Sequence, residues 1–135
     1  MMTITNETVS RIRVAALGAT GLACVTYAAL AVWFGRPDPI GWYWPGLAGL
    51  AASLVIMAAF GAGGRGAAAA ADELHDEVNH RAQRHAYWLS LALFGALSLS
   101  SALGWLEFHT AMAVFGCLMG ASYLLLFVLY DLRTR

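Results

Sequence analysis

"ADELHDEVNHRAQRHAYW", residues 71–88, holds four of the chain's eight acids, two of its eight arginines and three of its four histidines. The rest of the 135-residue chain is overwhelmingly apolar: 60% of all residues are hydrophobic and 12% are charged. That charged share is about half of the ~25% found in soluble domains. The reading of this stretch decides the fold. In a soluble protein it is a candidate active site; in a protein dissolved in lipid it is the segment that stays wet.

Working outward from it, four apolar stretches are long enough to cross a bilayer, residues 14–34, 42–62, 86–106 and 110–130. Roughly 20 apolar residues cover ~30 Å of hydrocarbon as a helix. None of the four contains an internal Asp, Glu, Arg or Lys. Helices satisfy their own backbone groups in lipid, so the expected fold is all-α. It is a single polytopic membrane domain of four transmembrane helices arranged as two antiparallel hairpins. The first apolar stretch, at about 21 residues, exceeds the ~7–15 of a signal-peptide core, and is read as a retained anchor.

The arginines set the expected orientation. Arg11, Arg13, Arg65, Arg81, Arg84, Arg133 and Arg135 fall on one side of such a topology and Arg36 alone on the other. The positive-inside rule then places both termini and the middle segment in the cytoplasm of a bacterial inner membrane. "RPDPIGWYWPG" (36–46) and "WLEFHT" (105–110) face outward, with their aromatic residues forming an interfacial belt.

The polar stretch itself reads as helix. "AAAAADELHDEVNHRAQRHAYW" has neither Gly nor Pro and opens with alanine, the best helix former. A cytoplasmic helical extension over 67–85 is expected to run unbroken into the third span. "GAGGRG" (61–66), which lacks the Lys-Ser/Thr ending of a phosphate loop, reads as a flexible exit from the second span. Acids precede bases along the extension, which suits the helix dipole. Glu77–Arg81 and Asp76–His80–Arg84 have ion-pair spacing, and Leu74, Val78, Ala82 and Ala86 form an apolar stripe for a partner helix, a second copy or the lipid surface.

Histidines every five residues, His75, His80 and His85, turn 140° per step and so form no triad on one helix. Asp72, Asp76 and His80 do share a face and are the one metal-capable set, although a single helix rarely completes a site. A solvated ion-pair ladder or a docking surface is the preferred reading. The interaction residues are then Asp72, Glu73, Asp76, Glu77, His80, Arg81 and Arg84. In the second outer turn Glu107 and His109 form the only ionisable pair, a weaker candidate for a cation or proton site.

Other chemistry is missing. His85 and His109 are 24 residues apart, ~36 Å along a helix, and cannot share one haem within a chain. Cys24 and Cys117 sit in apolar runs and form no C-x-x-C pair. No nucleophile elbow or zinc-protease motif occurs. A formal net charge of zero offers no field for nucleic acid. No cofactor and no catalytic residue is assigned, and the role is read as non-enzymatic.

Small residues at four-residue spacing let membrane helices approach closely. Ala15, Ala19 and Ala23 form one such row; Ala92, Ala96, Ser100 and Gly104 a second; Gly116 and Gly120 a G-x-x-x-G. These rows are expected to join helices within one chain or between copies.

Around residue 72 the chain resembles a family of small uncharacterised prokaryotic four-helix integral membrane proteins. Their signature is Asp-Glu-Arg, an aliphatic residue, a basic-Ala pair and a small-aromatic pair entering the third helix. Asp72-Glu73, Val78, Arg81-Ala82 and Ala86-Tyr87 stand at those offsets, with Leu74 where Arg is usual. The resemblance implies a topology and no established activity.

Three functions follow as expectations. The first is a non-enzymatic inner-membrane protein whose charged helix docks a protein or a second copy. The second is a small oligomeric transporter or channel subunit, with Thr20, Thr26, Ser53, Ser98, Ser100 and Ser101 as candidate lining besides Tyr and Trp. The third is an accessory subunit holding a metal or quinone. The expected partners are the lipid bilayer and a homo-oligomer or another protein.

Overall fold

A computed structural model describes the backbone of residues 6–134 and the side chains of 7–61 and 76–134. Three helical elements account for it: α1, Asn6–Phe34; α2, Trp44–Ala102; and α3, Phe108–Arg133. Three segments are long and apolar enough to cross a membrane, Glu7–Phe34, Trp44–Gly61 and Phe108–Arg133. The expected stretch 86–106 is not among them. It is helical as far as Ala102, but Ser90, Ser98, Ser100 and Ser101 dilute its apolar character.

Two glycines end helices. Gly35 follows α1 with φ +62°, while Arg36 N–H donates to the Ala31 carbonyl at 3.1 Å and Gly35 N–H to Val32 at 3.2 Å. Gly104 follows α2 with φ +74°, while Trp105 N–H donates to Ser100 at 3.0 Å and Gly104 N–H to Ser101 at 3.1 Å. Both are Schellman closures, which need a left-handed residue. Gly104 is therefore a terminator. It does not continue the small-residue row of Ala92, Ala96 and Ser100, because the helix has already ended.

The expected break at Gly61–Gly66 is not found, since helical hydrogen bonding runs through it and the four expected spans are carried by three elements. Alanine on both sides and the absence of proline allow this. α2 is nevertheless not straight. Trp44 lines a cavity with Tyr27. Leu97 packs on the cluster of Ala28, Ala31 and Val114. A straight helix would hold Trp44 and Leu97 ~80 Å apart.

The seams are small and the surface is bulky. Ala28, Ala31, Ala82, Ala86, Ala111 and Ala121 are buried, whereas Leu22, Trp33, Leu54, Met57 and Trp88 are more than half exposed. This inversion of the soluble pattern is what lipid permits, because packing rather than water exclusion drives helix association there. The α1 seam is Arg13, Thr20, Gly21, Cys24, Ala28 and Ala31; Ala15, Ala19 and Ala23 are exposed. A Cβ on Gly21 would lie 2.9 Å from Leu125 of α3, so glycine is what permits this approach. Arg13 meets Asp131, Gly21 meets Leu125 and Ala28 meets Val114, so α1 and α3 run antiparallel. Asn79–Tyr123 and Phe94–Phe115 set the same relation between the second half of α2 and α3. The first half of α2 is nearly bare; 6% of Trp44–Gly61 is buried.

Candidate functional site

The charged strip forms one side of a helix whose other side is fixed. Val78, Ala82 and Ala86 are buried, and Val78 and Ala82 form a cluster with Phe127 that Leu17, Tyr123 and Tyr130 surround. The apolar stripe is thus covered by this chain's own α1 and α3, and at these positions it does not await a partner helix. Leu74 lies outside the described side chains. The described turns of the 67–85 extension are packed along the ends of the neighbouring helices, which extend to Asn6 and Arg133.

That packing pushes the polar residues outward. Asp76, Glu77, His80, Arg81, Arg84 and His85 are all exposed. Arg81 Nη2 donates to Glu77 Oε1 at 3.3 Å, the i,i+4 pair expected from the spacing. The described ion pairs do not include Asp76, His80 or Arg84, so the second ladder is not formed. His85 is held by its own element and by α3: its Nδ1 lies 2.9 Å from the Arg81 carbonyl and its ring 5.7 Å from Tyr130. A small cavity of about 70 Å³ opens beside the strip, between Glu77, Arg81, Tyr130 and Thr134. Asp72 and Glu73 lie outside the described side chains, so the Asp72–Asp76–His80 set is not described as a unit. Among the described residues no cluster of three or more potential metal ligands occurs.

Beneath the strip is a feature that no sequence pattern announced. Arg13 and Asp131 are both buried and join Nη2 to Oδ1 at 3.3 Å across 118 residues. The Arg13 guanidinium also lies over the Phe127 ring, 5.4 Å from its centre, which adds a cation–π contact in a desolvated setting. Arg13 Nε has no hydrogen-bond partner among the described residues. The Tyr123 hydroxyl donates to Asn79 Oδ1 nearby. Arg13 and Asp131 each stand one residue outside an apolar window, so they read as flanking charges in the sequence. From Arg13 to Phe34 is ~32 Å of helix, close to the ~30 Å thickness of a hydrocarbon layer, and the tryptophan-rich turns lie at the far end from the pair.

The remaining candidates are dispersed. Glu107 and His109 approach to 3.5 Å and are well exposed. Thr110, just after them, is fully buried and its hydroxyl has no partner among the described residues. At the third position of α3 it has no helical carbonyl four residues back to receive it. Ala92, Ala96, Gly116 and Gly120 are exposed, and nothing lies within 4 Å of where a Cβ would stand on Gly116 or Gly120. They are not seams of this bundle. The hydroxyls of Thr20, Thr26, Ser53 and Ser100 each donate to the carbonyl four residues back at 2.8–2.9 Å. Cys24 and Cys117 are free thiols. No known protein family, curated protein or solved structure matches the chain.

Proposed function

We propose that this chain is a non-enzymatic inner-membrane protein that presents the charged strip of α2, residues 72–84, to a protein partner or to a second copy. In this reading the chain crosses the membrane four times as two hairpins. Both termini and the strip lie in the cytoplasm, following the seven-to-one arginine asymmetry. The observation that carries the reading is the two-sidedness of the helix: Val78, Ala82 and Ala86 are anchored, and the charges opposite them are free to meet another surface. A strip held rigid from behind loses little conformational entropy on binding. Between Asp76 and Arg84 it carries two acids followed by two arginines, so a partner or a second copy meets both signs of charge along its length. The exposed Ala92, Ala96, Gly116 and Gly120 supply the membrane part of such an assembly.

The test replaces Asp72, Glu73, Arg81 and Arg84 together by Ala and repeats crosslinking and pull-down from native membranes in mild detergent. The expected outcome is loss of the crosslinked species with helicity and thermal stability retained. An unchanged set of crosslinked species overturns the reading.

A further inference from the structure

At the end of the bundle opposite the charged strip, α1 and the start of α2 enclose a cavity of about 290 Å³. We propose that it binds an amphiphile with an ammonium head and an apolar tail. This inference does not depend on the docking reading.

The walls supply the tail site. Ala23, Ile40, Pro45 and Ala48 are aliphatic, the rings of Tyr27 and Trp44 add aromatic walls, and the Thr26 hydroxyl is turned to the Leu22 carbonyl. The volume is close to the ~300 Å³ at which small-molecule pockets begin. Tyr27 is fixed in place: its residue is 5% exposed and its hydroxyl donates to the Pro37 carbonyl at 3.2 Å. Trp44 is braced by Tyr43, whose ring centre lies 5.8 Å away.

The head site follows from that same hydrogen bond. Tyr27 holds Pro37, and Asp38 is the next residue, ~3.8 Å along the chain. The turn therefore holds the backbone of Asp38 beside the Tyr27 hydroxyl, two residues before Ile40 enters the lining. Asp38 is exposed and has no ion pair among the described residues. The one cation of this turn, Arg36, instead lies over the Phe34 ring at 5.9 Å. A carboxylate close in the chain to aromatic cavity walls attracts an ammonium group, and the aromatic quadrupole adds to the carboxylate rather than opposing it. The same elements disfavour a head that carries only negative charge, such as a sulfate. Two sources carry this chemistry, an aminophospholipid of the surrounding leaflet and a free long-chain amine.

The test uses the full chain purified in an uncharged maltoside detergent. Calorimetric titration with dodecyltrimethylammonium is expected to saturate, while dodecyl sulfate at equal concentration does not. Asp38→Asn and Trp44→Leu are each expected to weaken the cation's binding about 3- to 10-fold. Both are checked for unchanged helicity. Native mass spectrometry after extraction from phosphatidylethanolamine membranes separates the sources. Lipid retained by the parent chain and lost from Asp38→Asn identifies the headgroup; no retained lipid, with cation binding intact, identifies a free amine. Equal affinity for both dodecyl ions, or full affinity in both variants, overturns the proposal.

Discussion

Arg13 and Asp131 illustrate how single residues hold this protein together. Burying two charges at a hydrocarbon boundary is costly, and each offsets the other. Removal of one leaves an uncompensated charge, so Arg13→Ala and Asp131→Ala are each expected to destabilise the bundle by about 3–5 kcal/mol. The double variant should lose less than the sum, because no orphan remains. Thermal unfolding in detergent reads this, and strict additivity would show that the two side chains do not interact. Gly21 gives the complementary case. Gly21→Val drives two methyl groups towards Leu125 and is expected to cost about 1–3 kcal/mol by overpacking. Gly116→Val, on an open face, should leave monomer stability nearly unchanged and should weaken association if that face meets a second copy.

At the scale of the element, neither the end of α2, where spacing alone put Gly104 in a packing row, nor the helix partners were legible in the sequence. Glycine with φ +62° after α1 and φ +74° after α2 closes each helix. Gly104→Ala is therefore expected to cost about 1–2 kcal/mol, whereas Gly95→Ala, mid-helix and with open space around it, should be neutral or stabilising. Circular dichroism melts of the two variants distinguish these signs. Spans 14–34 and 110–130 fall inside α1 and α3, because length and apolarity are local properties that a single window reads. Which face of each helix is buried is not local. The Ala15–Ala19–Ala23 row and the G-x-x-x-G of α3 satisfy the spacing rule, yet the chain packs through Gly21 and Ala28 instead. In a chain this rich in small residues several faces allow close approach, and the large side chains that must find space elsewhere decide among them. The charged strip was legible for the same local reason as the spans. Its apolar stripe was legible too, but the helix that covers it was not, since Phe127 lies 45 residues beyond Ala82.

For the whole molecule, the two ends differ in chemistry. One end gathers Arg11, Arg13, Arg81, Arg84 and Arg133 around a buried ion pair; the other gathers Trp33, Trp42, Trp44 and Trp105, all exposed. A reporter fused after Arg135 is expected to be active only in its cytoplasmic form, and activity of a periplasmic reporter there would invert the proposed orientation. Between the ends, the surface is made of large apolar side chains and the seams of small ones, so solubility in water is not recoverable by a few surface changes.

The span of the Arg13–Asp131 contact also has a meaning in time. Arg13 leaves the ribosome 118 residues before Asp131, so the first helix is inserted with its charge unmatched until the end of α3 has been made. Completion of α3 and neutralisation of that charge are then a single event. Chains ending at Tyr130 should insert but remain open at their arginine-rich end, and membrane proteases should clear them faster than chains that include Asp131. Pulse-chase comparison of the two lengths measures that difference, and equal half-lives would show that the first helix settles without its distant partner.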